Sequence, residues 1–168
     1  MFRRQTRDEP PPRSDGADRY DRLRTMALRV GGGAMPPAPG TFVVGLVVDL
    51  PASTGTSTLV AFGNDTASVY SSTGGATVDA GLHAAVASAT RRLLTLVDAH
   101  LAMFREAPDH ALPPRGSVRL HVLTTTTDRR ADAPTAAFSR REPQHELSAV
   151  LAAVQELVTE IRAVTEQR

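Results

Sequence analysis

The sequence has 168 residues, of which 41% are hydrophobic and 22% charged, and these values fit one globular domain with an appendage. It contains no cysteine, which excludes disulfides and cysteine-ligated metal centres, and its 19 basic residues are all arginine. A net charge of +1 supplies no basic stripe of the kind that duplex DNA requires, so duplex DNA is not an expected partner.

Residues 1–40 are predicted to be a disordered tail, because mixed charges, a triple proline and a triple glycine leave little apolar surface to bury. Three apolar residues at helical spacing also permit a short helix over Arg19–Arg29, marginal on its own: Tyr20, Leu23 and Ala27. Two interpretations of residues 1–34 stay open. One is an arginine-rich docking segment for an acidic partner. The other is a dispensable tail, which includes the case of a misassigned start with Met26 or Met35 as the true first residue.

The N-terminus is polar and proline-rich, unlike the apolar core of a secretory signal. The longest apolar run, residues 42–48, is far shorter than the roughly 20 residues that span a bilayer. We therefore expect a soluble, cytoplasmic protein with no membrane partner. The exclusive use of arginine and the abundance of alanine suggest a GC-rich bacterial genome.

Three strands are predicted to open the domain. Thr41–Leu50 is rich in β-branched residues, and Ser57–Phe62 and Ala67–Ser71 follow as two shorter strands. Gly63-Asn64-Asp65 lies between the last two, and Gly and Asn there tolerate the positive φ of a hairpin turn.

Helices and one further clear strand follow. The 3.6-residue period predicts a long helix over Asp79–Arg105, and strict alternation predicts a fourth strand over Ser117–Thr125. A fifth strand is predicted within Pro134–Phe138. The last element, Pro143–Glu166, carries a continuous apolar stripe and begins with a proline suited to a first helical turn.

These elements predict an α+β domain over residues 41–166, in the order β-β-β-α-β-(β)-α. Its mostly antiparallel sheet has four to five strands, with two amphipathic helices on one face. The order loosely resembles that of roadblock, longin and profilin-like modules. The resemblance rests on element order alone and implies a small dimerising or scaffolding domain.

The segment between the third strand and the long helix is a candidate ligand site. It contains two glycines for close backbone approach and several hydroxyls, and a helix N-terminus favours anions. A phosphate or nucleotide could therefore bind there, although the phosphate-loop lysine and G-x-G-x-x-G are missing. An empty polar turn is the alternative. The candidate residues are Ser71, Ser72, Thr73, Gly74, Gly75 and Thr77.

Three polar residues on the first and fourth strands are weak candidates for catalysis. If the strand faces align, Asp49 and His121 form an acid–base pair, and Arg119 serves as an anion clamp. This would suit a small hydrolase or isomerase. The alternative is a solvated face with a salt bridge, and the scattered histidines predict no metal site and no cofactor.

The same face is partly apolar where a sheet covered on one side only should be polar. We expect a second copy of the protein, or another protein, to cover it. The predicted interface residues are Val43, Val47 and Leu123 on the strands and Leu94 and Leu101 beside the stripe of the long helix. The leading hypothesis is accordingly a non-enzymatic, self-associating interaction or scaffolding module. An anion or nucleotide sensor comes second, and a small enzyme third.

Overall fold

Seven antiparallel strands form one sheet in the computed structural model, which describes residues 15–30, 35–107, 109–138 and 145–166. The strands are β1 (Val43–Pro51), β2 (Thr56–Phe62), β3 (Ala67–Ser71), β4 (Ala76–Thr77), β5 (Arg105–Glu106), β6 (Ser117–Thr124) and β7 (Arg129–Pro134). They are arranged in the order β4-β3-β2-β1-β6-β7-β5. The described residues also form the α-helices α1 (Asp15–Leu28), α2 (Ala84–Ala99), α3 (Thr135–Phe138) and α4 (Ser148–Glu166).

The predicted α+β class and antiparallel sheet are confirmed, whereas the predicted numbers of strands and helices match only roughly. Strands β4 and β5 have two residues each, too few for any periodicity in the sequence. The strand predicted in Pro134–Phe138 is wrong, because β7 ends at Pro134 and α3 follows it. Short 3₁₀ turns at Ala80–Leu82 and Leu101–Met103 bracket α2 within the predicted long helix.

One core lies between the sheet and the pair α2 and α4. Leu46, Val48 and Leu50 of β1 point into it, together with the apolar stripes of both helices. The start of α4 is later than predicted, at Ser148, and the predicted first residue, Pro143, lies outside the described residues. This core confirms that the two long helices share one face of the sheet.

A second core lies on the opposite face, beneath α1. Its members come from α1 and from four strands: Tyr20, Ala27, Leu28, Val44, Val47, Val60, Phe62, Tyr70 and Leu123. The structure thus departs from the predicted tail over residues 15–28, because α1 gains its stability from this packing rather than from its own sequence. Residues 1–14 of the predicted tail lie outside the described residues.

The face assigned to Val43 from strict alternation is wrong. The pairing of β1 with β6 shifts register between Val43 and Gly45, a β-bulge that reverses alternation at the start of β1. Val43 therefore joins the core beneath α2 and α4, and Val44 faces α1.

Among the helices of the described residues, none is both long and apolar enough to cross a membrane.

Candidate functional site

A row of polar side chains crosses the sheet beneath α1. Strand register pairs Asp49 with Thr58 on one side and with Arg119 on the other. The row continues to Tyr70 on β3 and to Asp132 on β7. Adjacent strands place these residues on one face because paired residues in a sheet share a face.

Asp49 is the centre of this row, and none of its surface is exposed to solvent. Its Oδ1 accepts hydrogen bonds from Arg24 Nε at 3.0 Å and from Thr58 Oγ1 at 2.7 Å. Its Oδ2 accepts a hydrogen bond from Arg24 Nη2 at 2.6 Å. Arg24 belongs to α1, so a two-pronged, charge-assisted contact fixes the position of this helix on the sheet.

The hydrogen-bond directions in this cluster can be assigned. Thr58 has one hydroxyl proton, and that proton is donated to Asp49. The 2.8 Å contact between Tyr20 Oη and Thr58 Oγ1 must then have Tyr20 as its donor. The result is a directed chain from Tyr20 through Thr58 to Asp49, with Arg24 closing it from the same helix. We name Tyr20, Arg24, Asp49 and Thr58 the helix-docking cluster.

The ionisation of this cluster follows from its contacts. Burial alone would raise the pKa of Asp49, but the nearby His121 ring, Arg24 and Thr58 together hold it below its usual range. Burial likewise opposes the charge on Arg24, yet the bond to Asp49 raises its pKa. Burial raises the pKa of Tyr20, which keeps this phenol a neutral donor.

His121 lies next to the helix-docking cluster and is 1% exposed. Its Nε2 is 3.5 Å from Asp49 Oδ2 and has no hydrogen-bond partner among the described residues. Its ring meets that of His110 edge-on, with centroids 5.6 Å apart. The carbonyl of His110 in turn accepts a hydrogen bond from Arg24 Nη2 at 2.9 Å, which ties this loop to α1.

Arg119 is brought to the same face but bonds elsewhere. Its guanidinium donates to both carboxylate oxygens of Asp132, at 2.7 and 2.9 Å. Its Nη1 donates to the carbonyls of Ala111 and Leu112. Strand register thus places Arg119 beside Asp49, and His121 Nε2 approaches Asp49 Oδ2, but the Arg119 guanidinium bonds to neither residue. Asp49 and His121 also lie buried under α1, where a substrate has no access to them in this conformation.

The segment Ser71–Thr77 does not lead directly into a helix, because its last two residues form β4, and Val78 and Asp79 follow before the 3₁₀ turn at Ala80. It forms the turn between β3 and β4, closed by Ser71 N donating to Gly75 O at 2.7 Å and Gly74 N donating to Ser71 O at 2.9 Å. The strand-to-helix geometry on which anion binding was predicted is thus absent from this turn. The turn instead contacts α1, since a Cβ added to Gly16 would lie 2.9 Å from Gly74 Cα.

The residues predicted to form an interface are largely buried within the chain. Val43, Val47, Leu94 and Leu123 are all 0% exposed, and Leu101 is half-buried. The second sheet face, which we expected a second copy or another protein to cover, is covered by α1 of the same chain. Sequence reasoning missed Tyr20, Arg24 and Thr58. Their signal is the i, i+4 spacing of Tyr20 and Arg24 together with an acid in an apolar strand.

Comparisons of the chain with family models, with curated proteins and with solved structures found no match. Across residues 15–30, 35–107, 109–138 and 145–166, no three acidic or histidine side chains converge as metal ligands.

Proposed function

We propose that the protein is a non-enzymatic protein–protein interaction module that self-associates by exchanging α1 between two copies. The observation that carries this proposal is the contact of Arg24 with Asp49, in which a fully buried carboxylate accepts two hydrogen bonds from the guanidinium of one helical side chain. Such a contact selects one helix in one register.

The sheet face beneath α1 has the features of a helix-binding surface. Apolar side chains of four strands surround the helix-docking cluster and pack against Tyr20, Ala27 and Leu28 of α1. Helix-in-groove recognition uses anchors at i, i+4 and i+7, which is the spacing of Tyr20, Arg24 and Ala27 on this surface. An isolated helix of 14 residues is marginal in water, so α1 requires such a surface.

The same surface exists on every copy of the chain. The α1 of one copy can therefore pack on the sheet of another copy with the same contacts that it makes within its own copy. Reciprocal exchange of the two helices then forms a symmetric dimer. Fourteen residues connect α1 to β1, positions 29–42, and they include Gly31-Gly32-Gly33. Exchange changes the path of this connection and leaves the contacts of α1 unchanged.

The burial of the cluster argues against the catalytic alternative. Asp49 uses both oxygens to hold α1, whereas a general base needs a free oxygen within reach of a substrate. The anion-sensor alternative loses its helix N-terminus at Ser71–Thr77. A buried polar cluster that joins two elements is better suited to recognition than to turnover.

Light scattering on the full chain tests the proposal. We expect a dimer mass at micromolar concentration, and a larger dimer fraction when Gly31–Gly33 are deleted, because a shorter connection hinders folding back onto the same sheet. A monomer mass for both proteins at every concentration would overturn the proposal.

A second measurement tests whether α1 is the exchanged element. The chain has no cysteine, so single cysteines introduced at exposed Ala163 carry donor and acceptor dyes at defined positions. Mixing the two labelled batches should produce energy transfer as subunits exchange. Because the closed monomer and the exchanged dimer make the same α1 contacts, Arg24→Met should lower the dimer fraction only where it populates copies with α1 detached, whereas Arg22→Met, an exposed arginine on the same helix, should not lower it. An unchanged dimer fraction for Arg24→Met at a urea concentration that detaches α1 would refute exchange of α1.

A further inference from the structure

A cavity of about 450 Å³ lies on the face of the sheet opposite α1, where β1 ends. The sheet forms its floor, and the last two turns of α4 and the end of α3 form its walls. Its apolar lining includes Leu50, Leu59, Val69, Phe138, Val158 and Ile161. The cavity is separate from the helix-docking cluster, and no residue of α1 lines it.

The volume and lining of this cavity are typical of small-molecule sites. Such sites measure roughly 300–1,000 Å³, are mostly apolar, and contain a few polar groups that orient the ligand. Here Leu50, Leu59 and Ile161 belong to the buried core, whereas Val69, Val158 and Phe138 stay half-buried at the cavity. An apolar ligand would remove this remaining surface from water.

The polar lining is dominated by hydrogen-bond donors. Ser57, Thr77 and Arg162 line the cavity, and each can donate to an anion, whereas Glu166 can only accept. Arg162 and Glu166 are both exposed, so they stand where the cavity opens to solvent. Among the described residues, neither forms an ion pair within 4.0 Å. The guanidinium of Arg162 is therefore available to a ligand, and its planar fork suits a carboxylate.

We propose that this cavity binds a small amphipathic carboxylate, with its apolar body against Val69 and Val158 and its head group at Arg162. The proposed ligand site is thus this cavity, which neighbours the Ser71–Thr77 turn that the sequence suggested. Of that turn, Thr77 lines the cavity and so belongs to both.

Titration of the full chain with three probes of equal length tests the chemistry of the site. Decanoate, decanol and decyltrimethylammonium share an apolar body and differ in head-group charge. Amide chemical shifts in ¹H–¹⁵N spectra report where each probe binds. We expect decanoate to shift Val69 and Val158 and to bind about tenfold more tightly than decanol, since charge-assisted bonds are stronger. The cationic probe should bind most weakly.

Charge variants at the opening of the cavity give the decisive comparison. Arg162→Gln should weaken decanoate about tenfold and leave decanol unchanged, and Glu166→Gln should tighten decanoate. Arg22→Gln removes an equal charge at an exposed position of α1, and it should have no effect on binding of the probes. Val158→Trp should block all three probes, with circular dichroism verifying that the variant folds. No decanoate binding at millimolar concentration, or binding insensitive to Arg162→Gln, would overturn the proposal.

Discussion

Replacement of Arg24 by methionine tests the helix-docking cluster. Methionine keeps a long apolar side chain on α1 but removes both hydrogen bonds that Arg24 donates to the Asp49 carboxylate. Asp49 is 0% exposed and the side chain of Arg24 is 11% exposed, so the pair belongs to the buried class. Removal of one partner from such a pair typically costs about 3–5 kcal/mol, because the other charge is left without compensation.

The structure also indicates how this cost will be expressed. The core beneath α2 and α4 contains no residue of α1, so α1 can detach while that core remains packed. Detachment admits water to Asp49 and relieves the uncompensated charge. We therefore expect Arg24→Met to unfold the α1 layer at a lower urea concentration than the rest of the domain.

Intrinsic fluorescence can separate the two layers. The chain has no tryptophan and two tyrosines, Tyr20 and Tyr70, and both lie in the core beneath α1. Tyrosine emission thus reports the α1 layer, while far-ultraviolet circular dichroism reports the whole fold. In the unmodified chain the two urea transitions should coincide. In Arg24→Met the fluorescence transition should come first.

Two further variants make the comparison quantitative. The double variant Arg24→Met/Asp49→Leu should recover most of the lost stability, because an apolar pair replaces an unpaired charge. Arg91→Met breaks the exposed pair with Asp65 and should cost less than about 1 kcal/mol. If Arg24→Met cost no more than Arg91→Met, the buried-charge argument would be refuted.

Other predictions concern ionisation and packing. Burial raises the pKa of both Tyr20 and Tyr70, so absorbance at 295 nm should show both ionising above the usual pKa of 10.0. Their contribution to stability should be complete below pH 10.0 and lost as pH rises through the raised values. Gly81→Ala should destabilise the fold by at least about 1–3 kcal/mol, since its Cβ would lie 1.8 Å from Asp65 O. Gly75→Ala should change stability by less than about 0.5 kcal/mol, since its added Cβ would lie 3.9 Å from the nearest atom, Ser71 Cβ. Urea unfolding measures both variants.

Periodicity predicted the elements in which one repeat of apolar residues runs through the whole element. The strand predicted at Ser117–Thr125 agrees closely with β6, because the alternation persists along the whole strand. The helix predicted to end at Glu166 does end there as α4, because the 3.6-residue period persists for several helical turns. The same reasoning failed for Val43, since one bulge in β1 reverses the alternation on which it depends. Gly45, which lies inside the predicted strand at the register shift, is a residue type typical of bulges, and strict alternation took no account of it.

The helix α1 was harder to predict because its stability is tertiary. Its sequence is polar overall, and glycine-rich and proline-rich segments flank it, so composition alone favours a tail. The apolar spacing of Tyr20, Leu23 and Ala27 did indicate a helix, but gave no surface for it to pack on. That surface became identifiable only when strand pairing brought Asp49 beside Thr58.

The two kinds of residue on the second face carry different information. Apolar residues such as Val47 and Leu123 indicate that the face is covered, and any amphipathic helix of suitable size would satisfy them. Asp49 is more restrictive, because a carboxylate buried in an apolar strand requires a cation within hydrogen-bond distance. Arg24, one helical turn after Tyr20, meets that requirement. The carboxylate therefore selects the helix that covers the sheet, and the same selection would operate on a helix from a second copy.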